Sequence, residues 1–97
     1  MIRHVVLFSW IDEATQEQKQ RVEVELRALP PLITGLHAYK VGADAGIVEG
    51  NFDFAVVGDF EDAASYLAYR DHPAHRAVIE ETTQPITRSR VAVQYQI

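Results

Sequence analysis

The chain contains no cysteine and no long apolar run. Without cysteine there are no disulfides, thiolate metal ligands or cysteine nucleophiles, as is usual for cytosolic proteins. The longest apolar run, residues 5–8, is far short of the ~20 residues that a membrane span needs. The basic N-terminus also lacks a signal-type apolar core with a cleavage site. We therefore expect a cytoplasmic protein that does not bind membranes.

Positive charge is also scarce. Nine Lys and Arg stand against fourteen Asp and Glu, which gives a formal charge of −5. This balance argues against nucleic acid or an anionic membrane as the main partner. A chain of 97 residues buries roughly 60 to 65% of its unfolded surface on folding. We therefore expect one domain over residues 1–97, with a core that gains from oligomerisation.

The hydrophobic pattern predicts four strands and two helical regions. A helix begins at Thr15, where residues 15–18 form a capping box, and carries a stripe of Val22, Leu26 and Leu29. A second helical region starts at Asp62 and breaks at His72-Pro73. The predicted strands cover residues 2–10, 36–41, 52–60 and 89–97, with the longest loop at residues 42–51.

This order of elements is that of the ferredoxin-like split β-α-β fold, an α+β fold with a four-stranded antiparallel sheet and both helices on one face. We expect the first and third strands to be its central, parallel neighbours. The helices leave the other face bare, and we assign to that face His4, Val6, Phe8 and Trp10 of the first strand. Because so large an apolar patch is rare on a monomer, the pattern predicts a homodimer, a dimeric α+β barrel with the two sheets face to face.

Four segments resemble the stress-responsive A/B barrel (Dabb) family and together span most of the chain. They are RHVVLFSW at residues 3–10, DFAVVGDFEDAASYLAY at 53–69, DHPAHRAVIEE at 71–81 and RVAVQY at 90–95. The resemblance implies the same dimeric barrel and a link to stress response. Some members of the family are stress-associated oligomers, so an assembly larger than a dimer is open. One plant branch, the olivetolic acid cyclases, closes a polyketide chain by an intramolecular aldol condensation.

Carried over from the cyclases, the catalytic tyrosine falls on Tyr69, the catalytic histidine on His75, and the pocket histidine of the first strand on His4. The sequence departs from the cyclases at Arg70-Asp71 and at Arg76, where charge replaces apolar side chains. The resemblance thus implies a smaller or more polar ligand than a polyketide.

The residues themselves allow acid-base chemistry at this site. His75 follows a helix start, where the helix dipole keeps imidazole neutral and able to act as a base. Tyr69 can donate a hydrogen bond to a developing enolate, and Asp71 or Asp53 can orient His75. In the alternative interpretation His75 only binds a backbone carbonyl.

We predict a pocket lined by His4, Phe8, Phe54, Tyr66, Tyr69 and His75. His72 either contributes to ligand binding there or caps the helix.

Four histidines, His4, His37, His72 and His75, raise the question of a metal or haem. No metal-binding, phosphate-binding or nucleophile-elbow motif accompanies them, so we expect no cofactor. Three functions remain open. They are a homodimeric Dabb protein that binds a small organic molecule near His75, a cofactor-free cyclase or lyase, and a purely structural oligomer.

Overall fold

The computed structural model describes residues 1–97. It contains one antiparallel sheet of four strands, with helices packed against one face. The strands are β1 (Ile2–Trp10), β2 (Leu36–Ala43), β3 (Phe54–Phe60) and β4 (Thr87–Gln96), and the helices are α1 (Gln16–Arg27), α2 (Ala63–Asp71) and α3 (Pro73–Val78). This is the predicted ferredoxin-like α+β fold. None of the helices has the length and apolar character needed to cross a bilayer.

The strand order is β2-β3-β1-β4, with β3 and β1 at the centre. The central position of the first and third strands is as predicted, but the parallel pairing is wrong. β1 runs antiparallel to β3, with Val6 opposite Val56 and Phe8 opposite Phe54. β2 and β3 are joined by the loop of residues 44–53 and also form an antiparallel pair. β1 lies antiparallel to both of its neighbours, β3 and β4.

The predicted helix caps are present. The Thr15 hydroxyl accepts a hydrogen bond from the Gln18 amide at 3.1 Å, and the Gln18 side chain accepts one from the Thr15 amide at 2.9 Å. At α2 the Asp62 carboxylate accepts from the Ser65 amide at 2.8 Å. Each cap satisfies a helix-terminal N–H that would otherwise lack a partner.

The helical region after His72 continues to Ile86. α3 passes directly into a π-helical turn, Ile79–Thr83, and then a 3₁₀ turn, Gln84–Ile86, before β4 begins. Pro85 lies inside the first turn of that 3₁₀ segment, where its missing N–H costs nothing. The irregular turns border the site described below.

The prediction of which sheet face is bare was wrong. His4, Val6, Phe8 and Trp10 point toward the helices and are buried within the chain itself. They pack with the predicted α1 stripe of Val22, Leu26 and Leu29 in a 13-residue core cluster that also contains Phe54, Val56 and Phe60. Both faces of β1 are largely apolar, so alternation alone could not decide which face the helices cover.

The centre of the opposite face of the sheet, which we call the outer face, is formed by Val5, Leu7, Ala55, Val57, Val91 and Val93. Register places Val5 between Val57 and Val93, and Leu7 between Ala55 and Val91. Residues directly opposite in an antiparallel pair share a face. The outer face is thus a continuous apolar surface, on which Val91 is 49% and Val93 54% exposed.

Candidate functional site

His4 lies near the start of β1 on the helix-covered side of the sheet and is only 3% exposed. Its Nδ1 lies 2.8 Å from the side-chain amide nitrogen of Gln94, the residue opposite it on β4. Because an amide NH₂ only donates, Nδ1 holds a lone pair and the ring proton of the neutral form is on Nε2. Burial lowers the pKa of His4 to about 4, and the charges of Arg90 and His75 act in the same direction. The ring is therefore a neutral hydrogen-bond donor at neutral pH.

His75 has the complementary tautomer. It lies in α3, and its Nδ1 is 3.1 Å from the backbone carbonyl of Arg70. Because a carbonyl only accepts, Nδ1 donates and Nε2 of the neutral ring is a free base. Burial lowers the pKa of His75 against the opposing effect of that hydrogen bond, and Arg76, Arg90 and His72 lower it further. Burial, which the sequence pattern does not reveal, is thus the main cause of the lowered pKa of His75.

The predicted orienting carboxylates are elsewhere. Asp71 pairs with Arg70 at 3.0 Å, and Asp53 accepts a hydrogen bond from the Trp10 amide at 2.7 Å. The Arg70 carbonyl holds the His75 ring in their place. This is the backbone hydrogen bond of the alternative interpretation, and it leaves Nε2 available.

The ring of Tyr69 lies close to both histidine rings. Its ring centroid is 4.1 Å from that of His75 and 6.4 Å from that of His4. The side chain is 2% exposed, and its hydroxyl lies 2.9 Å from the hydroxyl of Tyr39 on β2. Burial raises the pKa of Tyr69 and raises that of Tyr39 to about 12. Tyr69 therefore stays a protonated phenol that can donate but not act as a base.

A cavity of about 390 Å³ opens beside these side chains. We call it the histidine cavity. Its lining residues are His4, Val6, Phe8, Leu26, Val56, Tyr66, Tyr69, Arg70, His75, Arg76, Ile79, Glu80, Thr83, Gln84, Thr87 and Arg90. The volume lies near the lower end of the roughly 300–1,000 Å³ that is usual for small-molecule sites.

Nε2 of each histidine is accessible. No buried side-chain nitrogen or oxygen lacks a hydrogen-bond partner, and Nε2 of His4 and of His75 forms no hydrogen bond. Neither atom is therefore sealed in the core. Because both residues line the histidine cavity, one donor and one acceptor are available to a molecule inside it.

Two predicted pocket residues lie outside the histidine cavity. Phe54 lies directly opposite Phe8 on the same sheet face, but its ring packs against Trp10, with a centroid distance of 5.8 Å. It borders a separate depression beside Trp10 and α1. His72 is the N-cap of α3, where its Nδ1 accepts from the Ala74 amide at 3.0 Å. His72 therefore has the capping role that was the alternative to ligand binding.

Sequence reasoning missed Arg90 and Gln94. Both lie on β4, on the face that register places beside Phe8 and His4. The available signal was the alternation of β4, in which residues 90, 92 and 94 differ in polarity from 91, 93 and 95. This face is exposed, with Arg90 at the rim of the histidine cavity and Gln94 in contact with His4.

No group of three or more His, Cys, Asp and Glu side chains lies close enough to hold a metal ion. His37 is exposed on β2 and does not line the cavity. His4 and His75 are therefore the histidines that face a shared space.

Fold and site together define a ferredoxin-like α+β protein with a cavity of neutral histidines and tyrosines between its sheet and its helices. The chain belongs to the stress responsive A/B barrel domain family, Dabb, whose model matches residues 2–97. The family prediction is thereby confirmed over nearly the whole chain.

Solved structures with this fold include proteins from bacteria and plants. The chain is 44% identical, with a TM-score of 0.92, to a dimeric ferredoxin-like protein of unknown function from Thermobifida fusca, and the match covers 99% of this chain and 90% of that one. A dimeric protein of unknown function from Bacteroides fragilis is 24% identical, with a TM-score of 0.87 and coverage of 99% and 95%. The hydroxynitrile lyase of Passiflora edulis is 21% identical, with a TM-score of 0.84 and coverage of 99% and 92%. No curated protein matches the chain.

Proposed function

We propose that this protein is a homodimer that binds a small organic molecule in the histidine cavity. The observation that carries the proposal is the complementary pair of free Nε2 atoms, a donor on His4 and an acceptor on His75, beside one accessible space. A polar group on the ligand can meet either atom, while Val6, Phe8 and Val56 supply apolar contact. Apolar walls with a few placed polar groups are typical of small-molecule sites.

The dimer in this proposal uses the outer face. Its valines and Leu7 form an apolar surface that helices of the same chain do not cover. The 44% identical protein from Thermobifida fusca is described as dimeric, which supports the same assembly here. Because the histidine cavity lies on the other side of the sheet, pairing through the outer face leaves it free for a ligand.

A fragment screen by NMR tests the binding proposal. Wild-type protein, His75→Ala and the matched control His37→Ala would be titrated with the same small aromatic and aliphatic compounds. We expect compounds that shift the ring signals of His4 and His75, weaker binding to His75→Ala, and unchanged binding to His37→Ala. Equal binding to all three proteins would remove His75 from the site.

A second candidate is cofactor-independent acid-base catalysis of the cyclase or lyase type. The tautomers favour it, because His75 can take a proton from a carbon next to a carbonyl while His4 donates a hydrogen bond to the resulting enolate oxygen. Tyr69 would pack beside the His75 ring and keep it in place. A positioned acid-base group of this kind is typically worth ~10²- to 10⁴-fold in rate. The fold is shared with a hydroxynitrile lyase, so this architecture is compatible with enzyme activity.

Hydrogen-deuterium exchange at carbon tests the catalytic candidate directly. Acetylacetone in D₂O would be followed by proton NMR with wild-type protein, His75→Ala and His37→Ala. The candidate predicts faster loss of the central CH₂ signal with wild type and with His37→Ala than with His75→Ala. If neither binding nor exchange depends on His75, a purely structural oligomer becomes the better account.

A further inference from the structure

Arg90 differs from every other arginine in the chain. The protein has seven arginines, and six of them, Arg3, Arg21, Arg27, Arg70, Arg76 and Arg88, form salt bridges with Asp or Glu. Arg90 forms none, although fourteen acidic residues are present. Lys19 and Lys40 are also unpaired, but neither lines the histidine cavity.

Arg90 is an exposed residue of the edge strand β4 and lies at the rim of the histidine cavity. It lies opposite Phe8 in the β1-β4 pair and lines the wall with Thr83 and Thr87. Its positive charge lowers the pKa of both His4 and His75, which means that the guanidinium acts on both rings. An unpaired cation beside two neutral histidines is suited to an anionic partner supplied from outside.

The other charges of the wall are already compensated. Arg76 pairs with Glu80 at 3.3 Å, and Arg70 pairs with Asp71 at 3.0 Å. Arg90 is therefore the uncompensated positive charge of the cavity. A guanidinium presents a planar fork of N–H donors that fits the two oxygens of a carboxylate.

We propose that Arg90 binds the carboxylate of the ligand, so that the histidine cavity takes small organic monocarboxylic acids. This inference rests on the proposed function and specifies its ligand class. The carboxylate would lie at the β4 wall, and the remainder of the acid would extend over Phe8 and Val6 toward the free Nε2 atoms. One unpaired arginine matches a single negative charge, which favours a monocarboxylate over a dianion such as a phosphate monoester.

Matched probes test the charge requirement. Phenylacetate and its neutral isostere phenylacetamide would be titrated into wild type, Arg90→Gln, Arg90→Lys and Arg88→Gln, with the His4 and His75 ring signals as the readout. Arg88 is the matched control because it lies two residues away on β4, pairs with Asp12 and does not line the cavity. We expect phenylacetate to bind wild type about tenfold or more tightly than the amide, since a charge-assisted hydrogen bond supplies about that difference.

Arg90→Gln should bind phenylacetate no more tightly than phenylacetamide, and its affinity for phenylacetamide should equal that of wild type. Arg88→Gln should keep the full preference for phenylacetate. Arg90→Lys should keep part of it, because the charge remains and the fork is lost. Urea midpoints of all four proteins confirm that each is folded.

Equal binding of the acid and the amide to wild type would overturn the inference and leave the proposed function in place. Loss of the preference in Arg88→Gln as large as in Arg90→Gln would do the same, because a general loss of charge would then explain it. Tighter binding of phenyl phosphate than of phenylacetate would replace the carboxylate with a phosphate ester. A probe set that leaves both histidine signals unmoved in wild type would count against the proposed function itself.

Discussion

Protonation of His4 should destabilise the folded protein as the pH falls. The pKa of His4 lies at about 4 in the folded chain, against 6.5 for an unperturbed histidine. The folded pKa is the lower one, so the unfolded state takes up the proton first. The stability associated with neutral His4 is therefore complete above pH 6.5 and is lost as the pH falls toward about 4.

The size of the effect follows from the pKa difference. Each pKa unit corresponds to about 1.4 kcal/mol, so the difference between 6.5 and about 4 sets a limit of about 3 kcal/mol. Because Nε2 of His4 borders a cavity that water can enter, screening reduces this, and we expect about 2 kcal/mol. That is a large part of the roughly 5–15 kcal/mol by which domains are usually stable.

Urea unfolding at a series of pH values measures the contribution of His4 to the free energy of unfolding. His4→Gln removes the titrating ring. Between pH 6.5 and about 4, the loss of unfolding free energy should therefore be about 2 kcal/mol smaller in His4→Gln than in wild type. His37→Gln, the exposed control, should follow wild type. Protein concentration must be held fixed, because dimerisation contributes to apparent stability. Identical pH dependence in His4→Gln and wild type would refute the burial of a neutral His4.

Three further predictions concern the two sheet faces, a turn and the cavity wall. Leu7→Glu, on the outer face, should give a folded monomer in sedimentation. Phe8→Glu should unfold the chain, as seen by circular dichroism, since an unpaired buried charge costs several kcal/mol. If both variants are dimers, or both are unfolded, the face assignment is wrong. Gly35→Ala should lower the urea midpoint, because Gly35 has φ of +81° and an added Cβ would collide with Ser65, and an unchanged midpoint would count against this turn. Arg90→Gln should raise the pKa of both cavity histidines in an NMR titration, and unchanged values would place the guanidinium away from them.

The order and type of the elements could be predicted because local signals agreed with the fold. The Thr15 capping box, the Asp62 cap and the α1 stripe each specify structure within a few residues. The choice of sheet face could not be predicted, since β1 has Val5 and Leu7 on one side and Val6 and Phe8 on the other. Only packing against the helices distinguishes these two apolar faces, and that contact is between residues distant in sequence.

The site was partly predictable for the same reason. His4, Tyr69 and His75 carry motif signals, and the structure places them around one cavity. Phe54 lies directly opposite the cavity residue Phe8, but its position on the strand does not fix where its ring packs, and the ring lies against Trp10. Arg90 carries no local motif. Its importance comes from the absence of a salt bridge, which only three-dimensional contacts reveal.

Crystals of the protein soaked with phenylacetate and, separately, with phenylacetamide would show whether the histidine cavity binds a ligand. We expect density for a probe inside the cavity, within hydrogen-bond distance of Nε2 of His75 or His4, and the outer faces of two chains packed together on the opposite side of the sheet. Density for the probes only between the outer faces, or a cavity closed by the side chains of His4 and Tyr69, would contradict it.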